Sequence, residues 1–228
     1  MKGSLMSIQQ EELPLFPLNS VLFPHAELIL NVSEQRHRDM IRHCLQHDVP
    51  FGVLLVRDEI SGDPDPYMVG TVARIRSVQS YDDGNMDAKV VGTTRFRVRR
   101  LEDSGAFWKG RVEAVTDEES EEGLRLHALA QRMRELMEAL IYAEFRNAEA
   151  KVVQVRLPDD PTALSFLVAK FLNLPSRQQQ HLLETTDTIE RISEMLPVLE
   201  EHLEIAEHQP SSTYQISAAD LSEWITTN

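Results

Sequence analysis

The chain has 228 residues, 42% of them hydrophobic, with a formal net charge of −14 and a single cysteine. That length and hydrophobic content allow one large or two small cored domains and exclude a globally disordered chain. The lone Cys44 excludes an internal disulfide and a cysteine-only zinc site. No apolar run reaches the roughly 18–20 residues of a membrane span, and Lys2 is followed by no apolar signal core, so a cytoplasmic location is expected.

The charge is uneven: residues 1–116 carry 14 Lys+Arg and 16 Asp+Glu, residues 117–228 carry 9 and 21. The acidic second half would be repelled by nucleic acid and by anionic membrane. The step coincides with a change from β to helical periodicity. Residues 1–116 are therefore expected to form one domain, residues 117–208 a helical bundle, and residues 209–228 a polar, disordered tail.

Residues 1–12 are polar and expected to fray. Leu13–Pro24 packs three prolines among seven large apolar residues, which forbids a helix and predicts a strand, a turn at Asn19-Ser20 and a second strand. Leu28 to Val32 reads as a further strand. Ser33 or Asn31 then caps a helix over Glu34–His47, with Met40, Ile41, Cys44 and Leu45 as its buried stripe. Phe51–Val56 is a buried strand and Ser61–Pro66 a loop.

Gly70–Val78 alternates as a half-exposed strand does, and Asp82-Asp83-Gly84-Asn85 is a hairpin turn. Met86–Val91 returns, Gly92 bends, Thr94–Arg99 alternates again, and Phe107–Val115 is the last strand. Short strands separated by turns predict a closed or nearly closed antiparallel β-structure. From Leu124 the apolar spacing becomes three and four, giving a long helix to about Phe145. Val152–Val155 reads as linker. Asp160-Pro161 opens a helix, and Ser176-x-x-Gln179 opens a short one ending near Glu184. Thr186 or Asp187 caps a last helix that Pro197 should kink.

In order and spacing, Leu13–Pro24, Glu34-x-Arg36, Pro50-Phe51-Gly52-Val53, Gly70–Ile75 and Gly92-x-x-Arg95-Phe96-Arg97-Val98 resemble the N-terminal substrate-binding domain of Lon protease. Asp160-Pro161, Leu174-Pro175 and Leu183–Asp187 are similar to its helical extension. The likeness covers roughly residues 11–206. It implies an α+β fold: a PUA-like antiparallel β-barrel followed by an α-helical bundle. The first-helix entry departs from the family: Ser33, Gln35 and His37 stand where an aromatic or proline is common, and His25 where glycine is usual. None of the five lysines follows a glycine, so the Gly-Lys-Ser/Thr of a phosphate loop is absent, as is the family's peptidase nucleophile segment. The resemblance thus implies a stand-alone, non-enzymatic substrate-binding domain that recognises unfolded or extended polypeptide and needs no cofactor.

Phe16, Phe23, Phe51 and Trp108 are the candidate peptide contacts; of the adjacent Phe107 and Trp108, alternation turns one outward. The methionines 86, 133, 137 and 195 suit either core filling or an adaptable binding surface. A second reading is an adaptor that docks on a partner protein through the acidic helical half or the stretch Leu221–Ile225. A third is RNA binding through Arg74, Arg76, Arg95, Arg97 and Arg99, disfavoured by the net charge and by the lack of interleaved aromatics. His43 and His47 lie four apart on a helix but lack a third ligand, and Cys44 falls on an apolar face, so neither a metal site nor a reactive thiol is expected.

Overall fold

A computed structural model describes residues 11–57, 65–103, 105–144, 152–208 and 225–227. The chain divides into two compact units, residues 1–116 with 175–184 and residues 117–174 with 185–228. The α+β class expected from the periodicities holds, with strands concentrated in the first unit and helices in the second.

The first unit contains β1 (Glu11–Leu18), β2 (Glu27–Val32), α1 (Gln35–His47), β3 (Phe51–Leu55), β4 (Val69–Ser80), β5 (Met86–Glu102) and β6 (Trp108–Val115). The sheet order is β2-β5-β4-β3-β1-β6, and β6 pairs again with β5. The ladder therefore closes through β5, β4, β3, β1 and β6, and β2 stands outside that ring on β5. The expectation of a wholly antiparallel structure needs one correction, because β1 and β3 run parallel. Between them the chain makes β2 and α1, a crossover long enough to bring it back in the same direction.

The proline-rich ribbon forms one strand, not two. β1 buries both faces, with Leu13, Leu15 and Phe16 all in the core. Val21–Phe23 has no regular structure and the chain turns at Pro24-His25. His25 takes a left-handed φ of 63°, while its N–H donates to Gly92 O at 3.0 Å and Ala26 N–H to Phe23 O at 3.2 Å. Leu22 and Phe23 are nevertheless buried. Gly92 makes this possible, since a Cβ there would lie 2.3 Å from the Phe23 carbonyl oxygen.

Helix α1 starts after Glu34, which supplies no side-chain cap; neither Ser33 nor Asn31 occupies the capping position. Met40, Ile41 and Cys44 are buried as expected, whereas Leu45 faces solvent. Asp48 closes the helix in the left-handed region, its N–H on Cys44 O. From Arg74 onward β4 is exposed apart from half-buried Ile75 and Val78, so the expected alternation is not kept, and its first five residues are buried on both faces. The reason is α4 (Ser176–Glu184), which packs on β4. Gln180 Nε2 donates to Val69 O at 2.9 Å and Arg95 to Leu183 O at 2.7 Å. The β4–β5 hairpin turns where expected, with Gly84 at φ 83°. β5 runs unbroken through Gly92, and register shifts at Thr71/Ala73 and Ile75/Ser77 absorb the bend. The Ser61–Pro66 loop falls mostly outside the described residues.

The second unit contains α2 (Gly123–Glu144), α3 (Pro161–Phe171) and α5 (Thr188–His208), packed pairwise. Asp160 caps α3 by accepting from Ala163 N–H at 2.8 Å. Asp187 caps α5 by accepting from Ile189 N–H at 2.7 Å. Val152–Val155 is not linker but strand β7, paired antiparallel with β8 (Ile225–Thr227), so the last residues of the expected loose tail carry defined structure. Arg191 in α5 is fully buried. Its guanidinium donates to both Asp117 carboxylate oxygens (3.2 and 2.7 Å), to Thr185 O, Ser165 Oγ and Thr188 Oγ1, and stacks 4.1 Å from the Phe166 ring. Every arm of the fork is satisfied, which is the condition for burying such a charge.

Candidate functional site

The four aromatic candidates all lie inside the first unit: Phe16, Phe23, Phe51 and Trp108 are 3, 1, 0 and 4% exposed. Phe16 stacks on His37 with ring centroids 4.4 Å apart and lies 6.2 Å from Phe51. Trp108 packs with Leu15, Leu54 and Phe96, and the Arg36 guanidinium lies 5.8 Å from the centroid of its ring. Burial gives these rings a packing role, and of the pair Phe107-Trp108 it is Phe107 that keeps partial exposure. The four methionines weighed as surface, Met86, Met133, Met137 and Met195, are also core residues.

Phe16 keeps one connection to solvent. It lines a surface depression of about 170 Å³ together with Leu18, Ser20 and the β2 residues Leu28 to Asn31. The pairing scheme explains the depression. β6 last pairs with β1 at Leu15↔Trp108, so among the described residues β1 from Phe16 to Leu18 pairs with β3, and Val56 just after β3 donates to Leu18 O at 2.9 Å. Among the described residues β2 pairs only with β5 and is the terminal strand of the sheet. One wall of the depression is therefore a strand end and the other a strand edge. None of its seven lining residues carries a charge, and Ile29 at the middle of β2 is 60% exposed.

The edge is held firmly at one end. Asn31 Nδ2 donates to Asp87 Oδ1 at 2.6 Å and Tyr81 Oη to Asp87 Oδ2 at 2.7 Å. These bonds lower the Asp87 carboxyl below its ordinary range, Tyr81 first and Asn31 second. Lys89 Nζ reaches Glu27 Oε2 at 2.7 Å across the same pair of strands. His37, beneath Phe16, is pushed down by burial, partly opposed by Glu34 and reinforced by Arg36.

The five arginines do not form one stripe. The register puts Arg95 opposite Thr71 and Arg74 opposite Val91, so the β4 and β5 arginines sit at different levels. Arg95 is buried, and Arg99 pairs with Glu113. The His43 and His47 rings are 4.3 Å apart, with Phe107 beside His43. Among the described residues no group of three or more His, Cys, Asp or Glu side chains is arranged to hold a metal ion. Cys44 is buried and its thiol is pushed up to about 11 by desolvation.

A closed β-ladder beside an uncharged depression, joined in sequence to a helical unit, has the character of a binding module. Residues 12–201 match the family model of the ATP-dependent protease La (LON) substrate-binding domain, and the chain belongs to that family. It is 33% identical over 197 residues to Lon protease 2 of Myxococcus xanthus, covering 85% of this chain and 24% of that protein. It is 31% identical over 197 residues to the Lon protease of Anaeromyxobacter dehalogenans, covering 85% and 23%. The chain thus spans about a quarter of the length of these curated relatives. The crystal structure of a Lon N-terminal domain protein from Xanthomonas campestris is similar at 30% identity and a TM-score of 0.57, covering 82% of this chain and 98% of that one. The N-terminal domain of Mycobacterium avium complex Lon protease shares the fold, at 20% identity and a TM-score of 0.61, covering 84% and 100%. Among the described residues no helix is long and apolar enough to cross a membrane.

Proposed function

We propose that this chain is a non-catalytic module that holds unfolded or extended segments of other polypeptides. Family membership supports a substrate-binding role. The observation that carries the finer reading is the depression beside β2, where uncharged side chains and an unpaired strand edge lie together. Extended chains offer both complements, apolar side chains and regularly spaced backbone groups, whereas a folded protein has consumed both. The cytosol suits a protein whose one cysteine is an unpaired, buried thiol. The test is retention of reduced, carboxymethylated lactalbumin on immobilised protein. Retention above that of native lactalbumin is expected, and equal retention rejects the reading.

A second reading, docking on a partner protein through the helical unit, draws on two observations: net −12 over residues 117–228 and the exposure of Leu124 and Tyr142 on α2. Such a contact would weaken sharply with salt, and salt-insensitive association would count against it.

A further inference from the structure

We infer that the open edge of β2 is the place where an extended polypeptide is added as a further strand, one of its aromatic or branched side chains seated in the adjoining depression. The inference rests on the polypeptide-binding reading and gives it an address.

The direction of the backbone groups follows from the ladder. Gly92 N–H donates to Ala26 O at 2.9 Å while Ala26 N–H turns to Phe23 O, and Glu27 stands opposite Val91, so Ala26 and Gly92 hold the place of a hydrogen-bonded pair. In an antiparallel ladder such pairs alternate with non-bonded ones. Leu28, Leu30 and Val32 therefore turn N–H and C=O toward β5. Glu27, Ile29 and Asn31 turn theirs to the other side, where no described strand pairs. A row of donors and acceptors on alternate residues is the complement of another extended backbone.

Exposed edges of this kind are ordinarily blunted by lysine, proline or a bulge. β2 has none of these at its centre; it presents Ile29 there. The depression of about 170 Å³ compares with the roughly 150 Å³ cavity that takes a benzene molecule, so it accommodates one phenylalanine, leucine or isoleucine side chain. Its uncharged lining would strip water from a charged side chain without replacing the lost bonds. The occupant is thus an extended segment, uncharged over its middle, with an apolar residue aligned to the depression.

The probe is a fluorescent peptide of alternating threonine and valine around a central phenylalanine, compared with the same peptide N-methylated at alternate residues. Ile29→Pro deletes the outward N–H and leaves the bonds to β5 intact. Ile29→Lys puts a charge on the edge and covers the case in which the proline variant fails to fold, as judged by its unfolding midpoint. Expected are saturable binding of the plain peptide by the wild type, at least about a tenfold loss in either folded variant, and a similar loss on N-methylation. Equal peptide binding by wild type and folded variants overturns the inference. Carboxymethylated lactalbumin separates the two ideas. If it binds wild type and variants alike, the edge is wrong and the polypeptide-binding reading survives; if it does not bind the wild type, that reading fails as well. A wild-type dimer that either variant converts to monomer would assign the edge to a second copy of this chain and overturn the peptide occupant.

Discussion

Replacing Asp117 with alanine should be among the most damaging single changes in the helical unit. It would leave the fully buried Arg191 guanidinium facing a gap where its carboxylate stood, a loss of about 3–5 kcal/mol in urea unfolding. Breaking Arg132–Glu200, 2.9 Å apart but about half exposed on both sides, should change the same measurement by less than about 1 kcal/mol. The Cys44 thiol, raised to about 11, should ignore a thiol-exchange reagent at neutral pH until the protein is unfolded. His37 makes stability depend on pH. Its folded pKa lies below the ordinary 6.5, so the unfolded chain binds the proton more readily. Stability is full above 6.5 and falls as the pH drops from there toward the folded value. His37→Asn should make that part of the profile shallower, His43, whose pKa burial also lowers, keeping a remainder. It should leave the separate loss below about pH 4 that carboxylates such as Asp87 produce. An arginine in an amphipathic helix is ordinarily a surface residue, and Arg191 is not. Its one clue is position, at the helical spacing of the buried Thr188, Ile192 and Met195.

At the level of elements, α4 closes over β4 by two side chains whose bonds are buried. Gln180→Ala removes the donor that satisfies Val69 O and should lower stability by about 1–3 kcal/mol. Arg95 does for Leu183 O what Gln180 does for Val69 O, which is why it left the expected basic stripe. Most elements were legible because each carries its own period and punctuation: Asp160-Pro161 starts a helix, Gly84 marks a hairpin, and the 3–4 spacing after Leu124 marks α2. What stayed hidden depends on partners remote in sequence. The four residues of β7 become a strand only by pairing with β8, and the parallel β1–β3 pairing has no local signature. The candidate site shows the same division. Phe16 and the apolar β2 residues were visible, but which aromatic rings are covered depends on tertiary closure.

For the molecule as a whole, net charge and site chemistry point in different directions. A net charge of −14 leads to the expectation of strong salt dependence for any charged partner. The depression carries no charge, so affinity for the threonine–valine–phenylalanine peptide should change by less than about twofold between low and high salt. A steep dependence would move the contact to the acidic helical unit.

The excursion of residues 175–184 into the first unit means that the polypeptide passes between the units three times, after Thr116, after Leu174 and after Glu184. A protease cutting once near residue 117 would yield two pieces that still share α4, contributed by one and seated against β4 of the other. Such nicked protein should migrate as a single species under native conditions and come apart only in denaturant.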